Sequence, residues 1–319
     1  NNGTATVAVS GGTSPYTYLW TGGLTTATIT GRTAGTYNVT VSDNAGCTAV
    51  RSTTISQPSA IVATASSTNV SCNGGNNGTA TVAVSGGTSP YTYLWTGGLT
   101  TATITGRTAG TYNVTVSDNA GCTAIRSTTI SQPSAIVATA SSTNVSCNGG
   151  NNGTATVAVS GGTSPYTYLW TGGLTTATIT GRTAGTYNVT VSDNAGCTEV
   201  RSTTISQPSA ITATASSTNV SCNGGANGTA TVAVSGGTSP YTYLWTGGLT
   251  TATITGRTAG VYNVTVTDNL GCASFAGATI SQPSAITATA TSTNVSCNGG
   301  NNGTATVAVS GGTSPYTYL

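Results

Sequence analysis

The residues able to do chemistry in this chain are few: eight cysteines, five acids, seven arginines and a recurring row of aromatics, with no histidine and no lysine among 319 residues. The cysteines stand at Cys47, Cys72, Cys122, Cys147, Cys197, Cys222, Cys272 and Cys297, so the gaps between them alternate between 25 and 50 residues. A zinc site needs four ligands close together, and no CxxC or histidine supplies them. Lone cysteines at these spacings are instead expected to form structural disulfides in an oxidising compartment. Asp43, Asp118, Asp193 and Asp268 each occupy the same Asp-Asn-x-Gly turn without a second carboxylate, a pattern that suits turn formation better than calcium binding. Serine and threonine are abundant but have no base to activate them. The composition predicts no catalytic residue, no metal, no cofactor and no enzyme.

Two further features admit a ligand. The loop Ser85-Gly86-Gly87-Thr88 is followed by neither a lysine nor a helix, so it reads as hairpin geometry rather than a phosphate cradle. Tyr91, Tyr93 and Trp95 alternate along one strand. Such a row is either a platform for a weak glycan contact or part of the core, and a unit with so few large apolar residues needs it inside.

The elements carrying these residues repeat. Asn76 to Gly150 reproduces Asn1 to Gly75 with a single change, Val50 to Ile125, and the 75-residue period continues to Leu319. Strict periodicity of this kind marks an array of small domains. Each unit has short period-2 segments separated by glycine-rich breaks, which predicts an all-β, immunoglobulin-like antiparallel sandwich. In the unit from Ala60 the expected strands lie within 61–72 and over 78–85, 91–95, 100–105, 111–117 and 123–130. Ile125 and Ile130 fall on opposite faces of a regular strand, which calls for a bulge or a change of sheet between them. Gly110-Thr111-Tyr112 matches a tyrosine corner. The domain frame is therefore 1–59 (a partial repeat lacking its first strand), 60–134, 135–209 and 210–284 (complete repeats), and 285–319 (a partial repeat with three strands).

Strand direction predicts the disulfides. If strands alternate strictly up and down, the first strand ends beside Cys72 and the fifth ends, at the same pole, beside Cys122. The expected pairs are Cys72 with Cys122, Cys147 with Cys197 and Cys222 with Cys272, leaving Cys47 and Cys297 with partners outside the sequence. Between repeats, Ile130-Ser131-Gln132-Pro133-Ser134-Ala135-Ile136 is short, and Pro133 restricts it, so a semi-stiff joint is expected. Units stacked end to end would advance about 35–40 Å each. In the fourth unit the last strand changes, with Phe275 and Ala276 replacing Val50 and Arg51, while the aromatic row and both cysteines persist.

A net charge of +2, with arginines placed singly, predicts no nucleic-acid partner. No run approaches the roughly 20 apolar residues that would cross a bilayer, so no membrane insertion of this segment is expected.

The run Val70-Ser71-Cys72-Asn73-Gly74-Gly75-Asn76-Asn77-Gly78-Thr79, followed by Gly86 to Trp95, Ala109 to Tyr112 and Asp118 to Thr123, closely resembles the SprB repeat. That repeat occurs in giant gliding-motility adhesins and other surface proteins of the Bacteroidetes. The resemblance implies an extracellular, cell-surface filament, exported by type IX secretion and moved by the gliding machinery. It further implies that surface polysaccharide or another substratum is bound by regions outside this sequence. The repeats would form its stalk.

Overall fold

The structure, a computed structural model, describes residues 2–319. Every regular element among them is a strand. The first, partial repeat carries β1 (Gly3–Thr6), β2 (Thr17–Trp20), β3 (Thr28–Arg32), β4 (Gly35–Ser42) and β5 (Thr48–Ile55). Then come β6 (Val62–Thr68), β7 (Gly78–Ser85), β8 (Thr92–Trp95), β9 (Thr103–Arg107), β10 (Gly110–Ser117) and β11 (Thr123–Ile130). The third repeat holds β12 (Val137–Thr143), β13 (Gly153–Ser160), β14 (Thr167–Trp170), β15 (Thr178–Arg182), β16 (Gly185–Ser192) and β17 (Thr198–Ile205). The fourth has β18 (Thr212–Thr218), β19 (Gly228–Ser235), β20 (Thr242–Trp245), β21 (Thr253–Arg257), β22 (Gly260–Thr267) and β23 (Ala273–Ile280), and the last has β24 (Thr287–Thr293) and β25 (Thr304–Ser310). By contact the chain forms two compact units, Asn1–Pro133 and Ser134–Leu319.

A complete repeat is a sandwich of two three-stranded antiparallel sheets. In residues 135–209 these are β12-β13-β15 and β14-β16-β17. Alternation decides which side chains face between them: Ala155 and Val157 of β13, Val189 and Val191 of β16 and Trp170 of β14 point inward and are buried with Ala138, Ile179 and Ile205. The threonines between them face out and pair across strands, as Thr156 does with Thr178. Equivalent cores occupy 60–134 and 210–284.

Two expectations about strand irregularity change. β10 and β11 pair without interruption from Gly110↔Ile130 to Ser117↔Thr123, so there is neither bulge nor sheet change between Ile125 and Ile130. Ile130 faces the core at 1% exposure and Ile125 faces solvent at 64%. The irregular register lies instead between β7 and β9, at Gly78/Ala80. There a Cβ on Gly78 would stand 2.7 Å from Ile130 Cγ2, so the close approach of the sheets requires glycine.

Strand direction also departs from strict alternation. β12 and β17 run side by side in the same direction: Arg201 Nε donates to Ala138 O (2.8 Å), Ser142 Oγ to Thr204 O (2.8 Å) and Val145 N to Ser206 O (3.1 Å). Because β14 is antiparallel to β16, and β15 to β13, β14 and β15 also share that direction. The chain turns after Trp170, where Trp170 N donates to Leu174 O, and crosses to the other sheet before β15 begins. The fifth strand, β16, consequently runs opposite to the expected sense.

Candidate functional site at the joint between repeats

The reversed fifth strand relocates half of the cysteines. Cys147 follows β12 and shares its end of the repeat with the outgoing chain. There Asn148 Nδ2 donates to Pro208 O (3.0 Å), Gly149 N to Gln207 Oε1 (2.9 Å) and Ser206 N to Asn144 Oδ1 (2.8 Å). Cys197 precedes β17 and lies at the opposite end, where Asn194 N donates to Thr163 O (2.9 Å). A sandwich-length separation therefore divides the two cysteines of one repeat.

The bond that forms instead joins neighbouring repeats: Cys147 is linked to Cys272, 125 residues away, with their Cα atoms 5.6 Å apart. This corrects the expected pairs Cys147 with Cys197 and Cys222 with Cys272. Cys122 is a free thiol, which removes the pair Cys72 with Cys122 as well, although Cys72 itself is not free. Cys197 is not free either. Cys47, Cys222 and Cys297 carry exposed free thiols. No cysteine of the sequence stands 125 residues from any of the four free ones.

Hydrogen bonds and a tight backbone contact complete the joint. The segment Ser206–Ser209 is held on one side by the Asn144–Gly149 loop and on the other by the next repeat, whose Gly237 N donates to Ser209 O (3.0 Å). Gly236 has φ +69°, and a Cβ there would stand 2.0 Å from Ala210 O. Glycine is required both by this left-handed conformation and by the approach of the two backbones. Asp268 braces the same loop. Its Oδ2 accepts from Thr238 N (2.9 Å), and its Oδ1 accepts from Leu270 N and Cys272 N (2.9 Å each), fixing the position of Cys272. Burial works to raise the pKa of Asp268, but the backbone N–H groups of Thr238, Cys272, Leu270 and Gly271 outweigh it and hold the carboxyl below its ordinary value. In the second repeat the Thr88 N–H is the leading cause of the same lowering at Asp118.

The Gly-Gly loop thus does more than turn a hairpin: it seats the preceding repeat's outgoing chain. Sequence reasoning missed this role, and the available signal was the joint recurrence of Cys-Asn-Gly, Gln-Pro-Ser and Ser-Gly-Gly in every complete unit. The aromatic row faces inward. Trp95 is 2% exposed and its Nε1 donates to Thr101 O (2.8 Å), while Tyr91 Oη donates to Gly86 O (2.6 Å). Tyr93 is half-buried against the same core, so the row offers no open stacking face. Tyr112 Oη donates to Thr108 O (3.0 Å), a tyrosine corner. Among the described residues no three metal-ligating side chains cluster.

A family model described as the SprB repeat matches residues 1–25, 64–100, 139–175, 214–250 and 289–319, together more than half of the chain. The chain belongs to the SprB-repeat family. It is a family of cell-surface repeat proteins, a class generally without enzymatic activity. No curated protein matches the chain. Among solved structures, the N-terminal four Ig domains of Dscam1 isoform 9.44 are 13% identical, over 78% of this chain and 80% of that one, with a TM-score of 0.25. The amphioxus IgVJ-C2 molecule is 18% identical, over 41% and 96%, with a TM-score of 0.23. The immunoglobulin-like description of the SprB repeats here rests on their paired sheets and tyrosine corner rather than on these scores.

Proposed function

We propose that this chain is a stalk segment of an extracellular adhesin filament, similar to the gliding-motility adhesins, that holds an adhesive region away from the cell. One observation carries the reading. The chain leaves each complete repeat at the end opposite the one it entered, and Cys147–Cys272 ties the exit end of one repeat to the entry end of the next. Copies joined in this way add length in one direction. Surface polysaccharide or another solid substratum would be bound by regions beyond this sequence, and type IX secretion and the gliding motor would export and move the whole. A glycan-binding role for every repeat lacks comparable support, since the tryptophan it would use is buried.

Small-angle scattering tests the reading. A rod-like particle whose maximum dimension grows by about 35–40 Å per added repeat is expected. A compact 31.0 kDa globule would overturn it.

A further inference from the structure

The position of the Cys147–Cys272 bond determines which residues carry tension. Without it, a pull applied at Ala135 and Ala285 runs through every residue between them. With it, the covalent route is 13 residues from Ala135 to Cys147, the bridge, and 14 residues from Cys272 to Ala285. Those residues include β12, the first strand of one repeat, and β23, the last strand of the next. The ten strands that lie between Cys147 and Cys272, β13 to β22, all hang off that route as a closed loop.

We propose that the inter-repeat disulfide is an extension limiter: a covalent bypass that carries tension past two successive repeats through β12 and β23, so that unfolding either sandwich cannot lengthen the chain appreciably. An intra-repeat bridge between Cys147 and Cys197 would shelter only part of one sandwich and would leave the joint to the peptide linker alone. The observed bond spans the joint and shelters the bulk of both. The effect rests on connectivity rather than on the strength of packing, which suits domains whose cores are small and built from Val, Ile, Ala and a single Trp. Cys147 and Cys272 are both partly exposed, so a soluble dithiol can reduce the bridge to two thiols while being oxidised itself to its cyclic disulfide.

The inference deepens the stalk reading without depending on it: a globular particle would refute the stalk and leave the bypass intact, whereas a chain that extends fully when oxidised would refute the bypass alone. The test is single-molecule pulling on the full chain, with click-chemistry handles at the exposed positions Ala135 and Ala285. Oxidised, the segment should reach only about 95 Å at full extension, from 27 residues at about 3.5 Å each. Reduced with dithiothreitol, or carrying Cys272→Ser, it should gain about 430 Å more. Equal contour lengths in the oxidised and reduced chains would overturn the proposal, as would an oxidised Cys272→Ser chain that remained short.

Discussion

The interior of a repeat and the joint between repeats are held by different forces. Inside residues 135–209, Trp170, Val189, Val191 and Ile205 are buried without a charged group among them, and stability comes from apolar burial and strand pairing. At the joint almost nothing large and apolar is buried. Backbone N–H groups, the Asp268 carboxylate, a glycine seated against Ala210 and one disulfide do the holding. The interior can thus vary little in volume, while the joint can vary little in backbone path. The fourth repeat illustrates this: its last strand has exchanged Arg201 for Ala276 and Val200 for Phe275, yet its glycine loop, Asp268 and cysteines are unchanged.

The largest expected effect is in the interior. Trp170→Ala should cost about 3–5 kcal/mol, because it empties a site 1% exposed and removes the bond to Thr176 O. In denaturant titrations followed by hydrogen exchange, the loss should localise to residues 135–209; uniform loss in residues 210–284 would erase the distinction between interior and joint. Gly236→Ala should cost about 1–3 kcal/mol through strain and displacement of Ala210, and should speed amide exchange at Gly237 while the Trp245 core stays protected.

A smaller effect is expected at the seam between first and last strands. Arg201→Ala should cost about 1 kcal/mol by removing the bond to Ala138 O, the partly exposed pair with Glu199 adding little. The neighbouring repeat closes the same seam differently, with Ala213 N donating to Ser274 Oγ (3.2 Å). The combined change Glu199→Ser, Arg201→Ala copies that arrangement and should recover part of the loss in thermal unfolding. The smallest effect concerns acid. Asp193 and Asp268 have folded pKa values below the ordinary value of 3.8, so their stabilising contribution is complete above that value and is lost as pH falls through the lower, folded one. Exchange at Cys272 N and Thr238 N should accelerate in that acid window before the core strands respond.

Much of a repeat was legible from residue patterning. Period-2 runs such as Gly-Thr-Ala-Thr-Val-Ala-Val-Ser give strands because alternate positions see the core, and β7 and β11 fall over the residues expected. The inward row of Trp95 follows from the scarcity of other large side chains. The fourth strand, expected at 100–105 and found as Thr103–Arg107, was harder to read, because the chain crosses between sheets after Trp95. That crossing leaves two successive strands pointing the same way, a fact fixed by tertiary packing with no local signature. One reversed strand was enough to move Cys122 and Cys197 to the far end of their repeats, and so to change an intra-repeat staple into a bridge between repeats.

That bridge is the central claim, and peptide mapping tests it most directly. Free thiols are blocked under denaturing, non-reducing conditions before trypsin cleaves after each arginine. The Cys272 peptide, residues 258–319, should then be recovered joined to the Cys147 peptide, residues 127–182. Recovery of 258–319 joined through Cys272, with Cys297 blocked, to 202–257, which carries Cys222, would contradict the account and return the bond to the interior of a single repeat.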